Sequence, residues 1–204
     1  MAGRGFVPIQ ETGRGYNGQL TPFPILKNYG TSIFNGDPVR LVADGTIQEA
    51  VSVAAINGGD MVGVFMGCEY VNSAGTPTWS QYYPASQNVD GIVAYVAGTD
   101  PITRYRVRWL TAGADGTAVR LRVGLNYDMD VTDASGNTTT GNSTLGLDTA
   151  TGAAGGATAN FRVVDLVNTD GSDSLIRASA ATTYTHAIVI VEPNLHAFTN
   201  TTGI

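Results

Sequence analysis

The chain has 204 residues, room for one generous domain or two small ones with a sizeable core. Only 14% of the residues are charged and glycine fills 26 positions, a balance that excludes a coiled coil, while 43% hydrophobic content excludes charge-rich disorder. The net charge of −6 argues against a nucleic-acid coat protein, whose affinity comes mainly from neutralising phosphates.

Residues 1–30 carry Gly3, Gly5, Gly13, Gly15 and Gly18 with Pro8, Pro22 and Pro24, and no 3.6-residue periodicity survives that punctuation. The segment reads as an extended N-terminal arm. Alone it buries too little apolar surface to offset an ordering entropy of about 1–2 kcal/mol per residue. It is therefore expected to order against a partner surface, through Phe6, Ile9, Tyr16 and Phe23. Its first residues lack an apolar h-region, so nothing there marks a secretory signal.

From Thr31 the texture changes to short apolar or alternating runs separated by turn residues. Thr31–Phe34 is closed by Asn35-Gly36 and Pro38–Val42 by Asp44-Gly45. Both dipeptides are hairpin signals of the type I′ kind, which needs positive φ at both central residues. Thr46–Val51, Met61–Val71, Thr78–Tyr83, Gly91–Val96, Arg104–Leu110 and Ala118–Leu125 follow. Ser143–Asp148, Phe161–Val167, Leu175–Ala178 and His186–Val191 complete the series. Residues 31–204 thus read as an all-β body, an antiparallel β-barrel or sandwich of about a dozen short strands. A low-complexity loop region runs over about residues 132–160, first a hairpin tip or exposed excursion, then a connector.

The motifs with chemical overtones each fail a structural requirement. Gly13-Arg-Gly15-Tyr-Asn-Gly18 spells a dinucleotide fingerprint, but Leu20-Thr-Pro22-Phe-Pro24 follows where a helix N-terminus has to meet the pyrophosphate. Asp128-Met-Asp130-Val-Thr132-Asp133 resembles the start of an EF-hand loop, yet Asp133 and Thr139 occupy its glycine and glutamate positions. Solvated turn carboxylates are the simpler account, with a non-EF-hand cation site between this loop and Asn168-Thr-Asp170-Gly-Ser-Asp173 as the alternative. His186 and His196 flank the terminal strand, no Gly-x-Ser-x-Gly elbow exists, and Cys68, the single cysteine, lies in an apolar run. These features predict no catalytic residues, no cofactor and no metal site. The longest apolar runs are far too short to cross a bilayer as helices, so no membrane partner is expected.

Arg104-Tyr-Arg106-Val-Arg108-Trp109 is the most informative short segment. At strand period 2 its arginines share one face and Tyr105, Val107 and Trp109 the other. Arg120 and Arg122 repeat the alternation. Ten arginines stand against a single lysine, Lys27, and arginine is the cation favoured at protein interfaces. If these strands are neighbours, five of the ten arginines cluster on one outer surface, either a hydrated face or a docking face for a carboxylate-rich partner.

The order of these segments is distinctive. The arm is followed by Tyr29-Gly-Thr-Ser-Ile-Phe-Asn-Gly-Asp-Pro-Val-Arg-Leu-Val-Ala-Asp-Gly-Thr-Ile-Gln48, then Met61-Val-Gly-Val-Phe-Met-Gly-Cys68 and Tyr82-Tyr-Pro-Ala-Ser86. Phe161-Arg-Val-Val-Asp-Leu166 and His186-Ala-Ile-Val-Ile-Val-Glu-Pro-Asn-Leu-His196 close the chain. Over about residues 29–196 this resembles the capsid cement or decoration proteins of tailed bacteriophages, marine podovirus-like phages in particular. The resemblance implies a structural virion protein on the capsid surface, made in the bacterial host cytoplasm. Its implied partners are the major capsid protein and further copies of itself. It implies a rigid β body, an adaptable arm and many weak contacts that add by multivalency. A tail-associated or receptor-binding β-adhesin is the alternative reading, and a β-sandwich carbohydrate-binding protein or hydrolase a further one. The last predicts clustered aromatics or paired carboxylates, which only Trp79-Ser-Gln-Tyr82-Tyr83 approaches.

Overall fold

The computed structural model describes residues 5–11, 14–50, 61–109, 114–115, 123–130, 136–147, 159, 161–166, 183–184, 187–193 and 196–199. The described residues are all-β, in antiparallel sheets, with one 3-10 turn at Ala197–Thr199. The first sheet has the spatial order β11 (Asn126–Tyr127), β14 (Phe161–Leu166), β16 (Ala187–Pro193), β9 (Arg104–Trp109), β1 (Val7–Glu11) and β2 (Arg14–Gly15). The second runs β3 (Leu20–Ile25), β8 (Ile92–Ala97), β6 (Met61–Val71), β4 (Pro38–Leu41) and β5 (Ile47–Glu49), with β7 (Pro77–Ser80) also paired to β6. Two ribbons stand apart, β10 (Ala114–Asp115) with β15 (Thr183–Tyr184) and β12 (Gly136–Asn137) with β13 (Asn142–Ser143).

The extended reading of residues 1–30 needs correction in one respect: the described part is paired into the body. β1 lies against β9, with Val7 opposite Arg106, and β3 lies against β8 along its whole length, from Leu20 opposite Ala97 to Ile25 opposite Ile92. Phe6 is 1% exposed, stacked on Phe161 at 4.6 Å and edge-on to Tyr105 at 6.4 Å. The prolines that argued against a strand are accommodated because β3 is an edge strand. There a residue without an N–H interrupts no second ladder. Alternation then turns Phe23 and Ile25 to the core while Pro22 and Pro24 stay exposed.

The hairpin turns differ from the type I′ expectation. At Asp44-Gly45 only Gly45 has positive φ, 81°. Gly45 N donates to Val42 O at 2.8 Å and Val42 N to Thr46 O at 3.0 Å, the pattern of a type I turn closed by a glycine bulge. Asp44 Oδ1 accepts from the Thr46 amide and hydroxyl, which fixes that geometry from within the loop. Asn72 to Thr76 repeats it without an Asn-Gly or Asp-Gly pair, with Gly75 at φ 76° and Asn72 Oδ1 accepting from Ala74 N and Thr76 N. Asn35-Gly36 closes no hairpin; it makes a tight turn, Asp37 N to Phe34 O at 2.9 Å, that leads into β4.

Most runs read as strands are strands, and Met61–Val71 has the expected bounds. Thr31–Phe34 is reduced to a single bridge, Ile33 with Tyr83, and Ser143–Asp148 to β13 plus a bridge between Met129 and Leu147. Residues 136–143 of the low-complexity region form the β12–β13 hairpin, exposed at 137–140. Leu175–Ala178, residues 118–122 and residues 149–158 lie outside the described residues.

Two hydrophobic clusters hold the body together, and β6 serves both. The first joins Phe6, Tyr105, Val107, Phe161, Val163 and Val191 of the first sheet to Met61, Val64 and Ala50 of the second. The second packs Val62, Phe65, Cys68, Ile92, Ala94 and Val96 under Ile33, Val39, Ile47 and Tyr83. Strict alternation would send Val62 and Val64 to one side. They part because a register shift interrupts β6 beside Gly63, and a second shift follows beside Gly67. Each such bulge resets which face the following residues meet. A strand covered on both faces reads as a continuous apolar run, as this one does.

Candidate docking face

The arginine row is the feature the sequence points to, and β9 builds it by period alone. Tyr105 and Val107 are 0% and 1% exposed in the first core. Arg104, Arg106 and Arg108 therefore leave the sheet on the opposite side, Arg106 exposed and the other two half-buried. Arg104 Nη1 donates to Gln10 Oε1 on β1 at 3.4 Å. Arg108 Nη2 donates to Thr144 O at 3.2 Å, while its Nε is buried without a hydrogen-bond partner. A buried Nε is out of a partner's reach, so Arg106 is the guanidinium of the row most open to an incoming acceptor.

The neighbouring strands set the rest of this face. Ile190 on β16 is half-buried and stands in register opposite Arg106, and Ile188 stands opposite Arg108. One strand further, Arg162 on β14 is exposed and donates through Nε to Asn126 Oδ1 at 3.0 Å. In backbone register Arg162 faces Glu192, and exposed Asp165 faces Ile190. The face is thus a basic row bordered by apolar and acidic positions rather than a uniform positive patch. Arg162 was not singled out in the sequence, because β14 and β9 are brought together only by β16 between them.

The structure brings Arg104, Arg106 and Arg108 onto one face of β9, beside the β1 strand that carries Ile9. Phe6 is core and cannot meet a partner without unfolding. Ile9 and Tyr16 are half-buried, tied by Tyr16 N to Ile9 O at 3.0 Å, and the Tyr16 hydroxyl donates to Gln19 O at 2.6 Å. Phe23 packs on the second core. Arg120 and Arg122 lie outside the described residues, as does His186.

No protein-family model, curated protein sequence or solved structure matches the chain. Its chemistry has to be read from the residues.

Burial governs the groups a nucleophilic mechanism would draw on. Cys68 is buried and its thiol is pushed up to about 12, which keeps it protonated. His196 is 2% exposed and burial pulls its imidazole down to about 4, with Nδ1 accepting from Phe198 N at 3.2 Å. Among the described residues no group of three or more His, Cys, Asp and Glu is placed to hold a metal ion, and no helix is long and apolar enough to cross a membrane.

One carboxylate pair was not anticipated. Asp37, just before β4, is 2% exposed and accepts from Phe34 N at 2.6 Å and from the Ser143 hydroxyl. Glu49 on β5 is 7% exposed, and its amide donates to the Tyr29 hydroxyl at 3.1 Å. Desolvation raises Asp37 to about 6, and desolvation reinforced by the Asp37 charge raises Glu49 to about 8. Nothing in the sequence marks these two among the 17 acidic residues, since burial here follows from the β4–β5 hairpin folding over the core.

Proposed function

We propose that this chain is a structural virion protein that binds the outside of a tailed-phage capsid and cements neighbouring major capsid subunits, associating there with further copies of itself. The observation that carries the reading is the row of Arg104, Arg106 and Arg108 on one sheet face of a chain whose net charge is −6. A local basic row on an acidic body orients the protein on a carboxylate-bearing shell and disfavours other approaches. The finer architecture we assign is a β-sandwich, since the first core draws on both sheets. In this reading the chain uses no active site, cofactor, nucleic acid or membrane, and its location is the capsid surface of the virion.

Replacing Arg104, Arg106 and Arg108 together by glutamate is expected to abolish co-sedimentation with undecorated shells at micromolar protein. Like charges brought together at a docking face cost several kcal/mol. Arg106→Glu alone changes an exposed side chain, where stability shifts stay within about 0.5 kcal/mol. It is expected to weaken binding with the melting transition unmoved. Wild-type binding should also fall as salt rises, because exposed pairs are screened beyond about 8 Å at physiological ionic strength. Undiminished binding of both variants would make the row a hydrated face. A copy number per virion far below that of the major capsid protein would favour the tail-adhesin alternative.

A further inference from the structure

The second sheet carries an exposed aromatic pair that belongs to neither core. Trp79 on β7 is 58% exposed, the most exposed large apolar side chain among the described residues. Its indole lies 5.3 Å from the Tyr95 ring on β8, tilted by 42°. β6 runs between these two strands, and the rings meet across it because residue 67 is glycine. A Cβ there would stand 2.8 Å from Trp79 Cζ2, and Gly67 adopts φ 147°, a region side chains disfavour. The indole is thus laid over the strand and held in place without being buried.

The next residue of β6 on that face supplies the polar group. Glu69 stands in register between Trp79 on β7 and Val93 on β8, with its carboxylate exposed. The Tyr95 hydroxyl hydrogen-bonds to it, which raises that phenol above its ordinary value. One such donor leaves most of the carboxylate's acceptor sites open. Trp79 and Glu69, with Tyr70, Val71, Pro77 and Thr78, line an open groove of about 490 Å³.

We propose that this groove binds a neutral pyranose residue of a glycan, its C–H face laid on the Trp79 indole and a pair of its hydroxyls donating to Glu69. A fixed aromatic plane beside a carboxylate suits a ring that is apolar on one face and rich in donors at its rim. The exposed carboxylate disfavours a protein partner, since glutamate is depleted from interface cores. Glu69 and the net charge of −6 also disfavour acidic sugars. This site lies on the second sheet, apart from the arginine row, and does not depend on the capsid reading.

The test is tryptophan fluorescence of the full chain titrated with methyl β-galactopyranoside, methyl β-glucopyranoside and N-acetylneuraminic acid. A saturable response to at least one neutral glycoside and none to the acid is expected. Trp79→Ala should remove that response and Glu69→Gln weaken binding about tenfold, the value of a charge-assisted hydrogen bond. Trp79→Phe, which keeps an aromatic plane, should retain glycoside binding by calorimetry. No saturable response to either neutral glycoside, or the same response in Trp79→Ala, would overturn the proposal. So would sedimentation showing a dimer that Trp79→Ala dissociates, which would give the face to a second copy. Shell binding by Trp79→Ala is expected to match wild type, so the two readings fail separately.

Discussion

Phe6→Ala is expected to destabilise the protein by about 3–5 kcal/mol, the range for deleting a buried phenylalanine. Phe6 is 1% exposed, stacked on Phe161 and edge-on to Tyr105, so its removal strips two aromatic neighbours of a contact in the middle of the first core. Its amide is also committed, donating to Gly36 O at 2.9 Å, which ties the chain before β1 to the turn before β4. For a chain near 200 residues each kcal/mol moves the melting temperature by about 2–4 °C. A drop of about 10 °C is the expected reading by differential scanning calorimetry of the isolated protein. Removing residues 1–18 should be more damaging, because it deletes β1 and β2 and exposes the edge of β9. A melting temperature within about 2 °C of wild type for Phe6→Ala, against the cost expected of a core truncation, would restore the reading of this segment as an arm that orders only on a partner.

Stability is expected to fall as pH rises from about 4 to about 8, the reverse of ordinary acid denaturation. Asp37 and Glu49 both have folded pKa values above those of an unfolded chain, about 6 and about 8. Over the interval between unfolded and folded values the native state binds more protons than the unfolded state. Their contribution is therefore complete below about pH 4 and is lost as each carboxyl ionises. At about 1.4 kcal/mol per pH unit, the rise of Glu49 corresponds to a loss of several kcal/mol across that window. The groups around it offer little relief: the Tyr29 hydroxyl accepts from the Glu49 amide, and Arg40 is engaged with Gln48 at 3.1 Å. Glu49→Gln should accordingly melt about 4–8 °C above wild type at pH 9, the shift produced by about 2 kcal/mol. The two should converge near pH 4. Asp37→Asn should narrow the gap by removing the charge that opposes Glu49 ionisation. Parallel melting curves for wild type and Glu49→Gln from pH 4 to 9 would show that the carboxyl is solvated.

What the sequence determined by itself is local. Alternation over Arg104–Trp109 set which side chains of β9 are core and which make the basic row, because strand period depends on no distant partner. The glycine-spaced run Met61–Val71 declared a central strand with the right bounds, since a strand covered on both faces has no polar side to show. Partnership was decided only in three dimensions. β1 joins β9 across almost a hundred residues and β3 joins β8 across some seventy. Glycine and proline composition reads the same in a free arm as in edge strands held by such pairing. Burial of Asp37 and Glu49 likewise comes from where β4 and β5 lie on the second core, and the groove at Trp79 exists because Gly67, without a Cβ, lets an indole cross β6. Each of these depends on contacts between segments far apart in the chain, which periodicity within one segment does not encode.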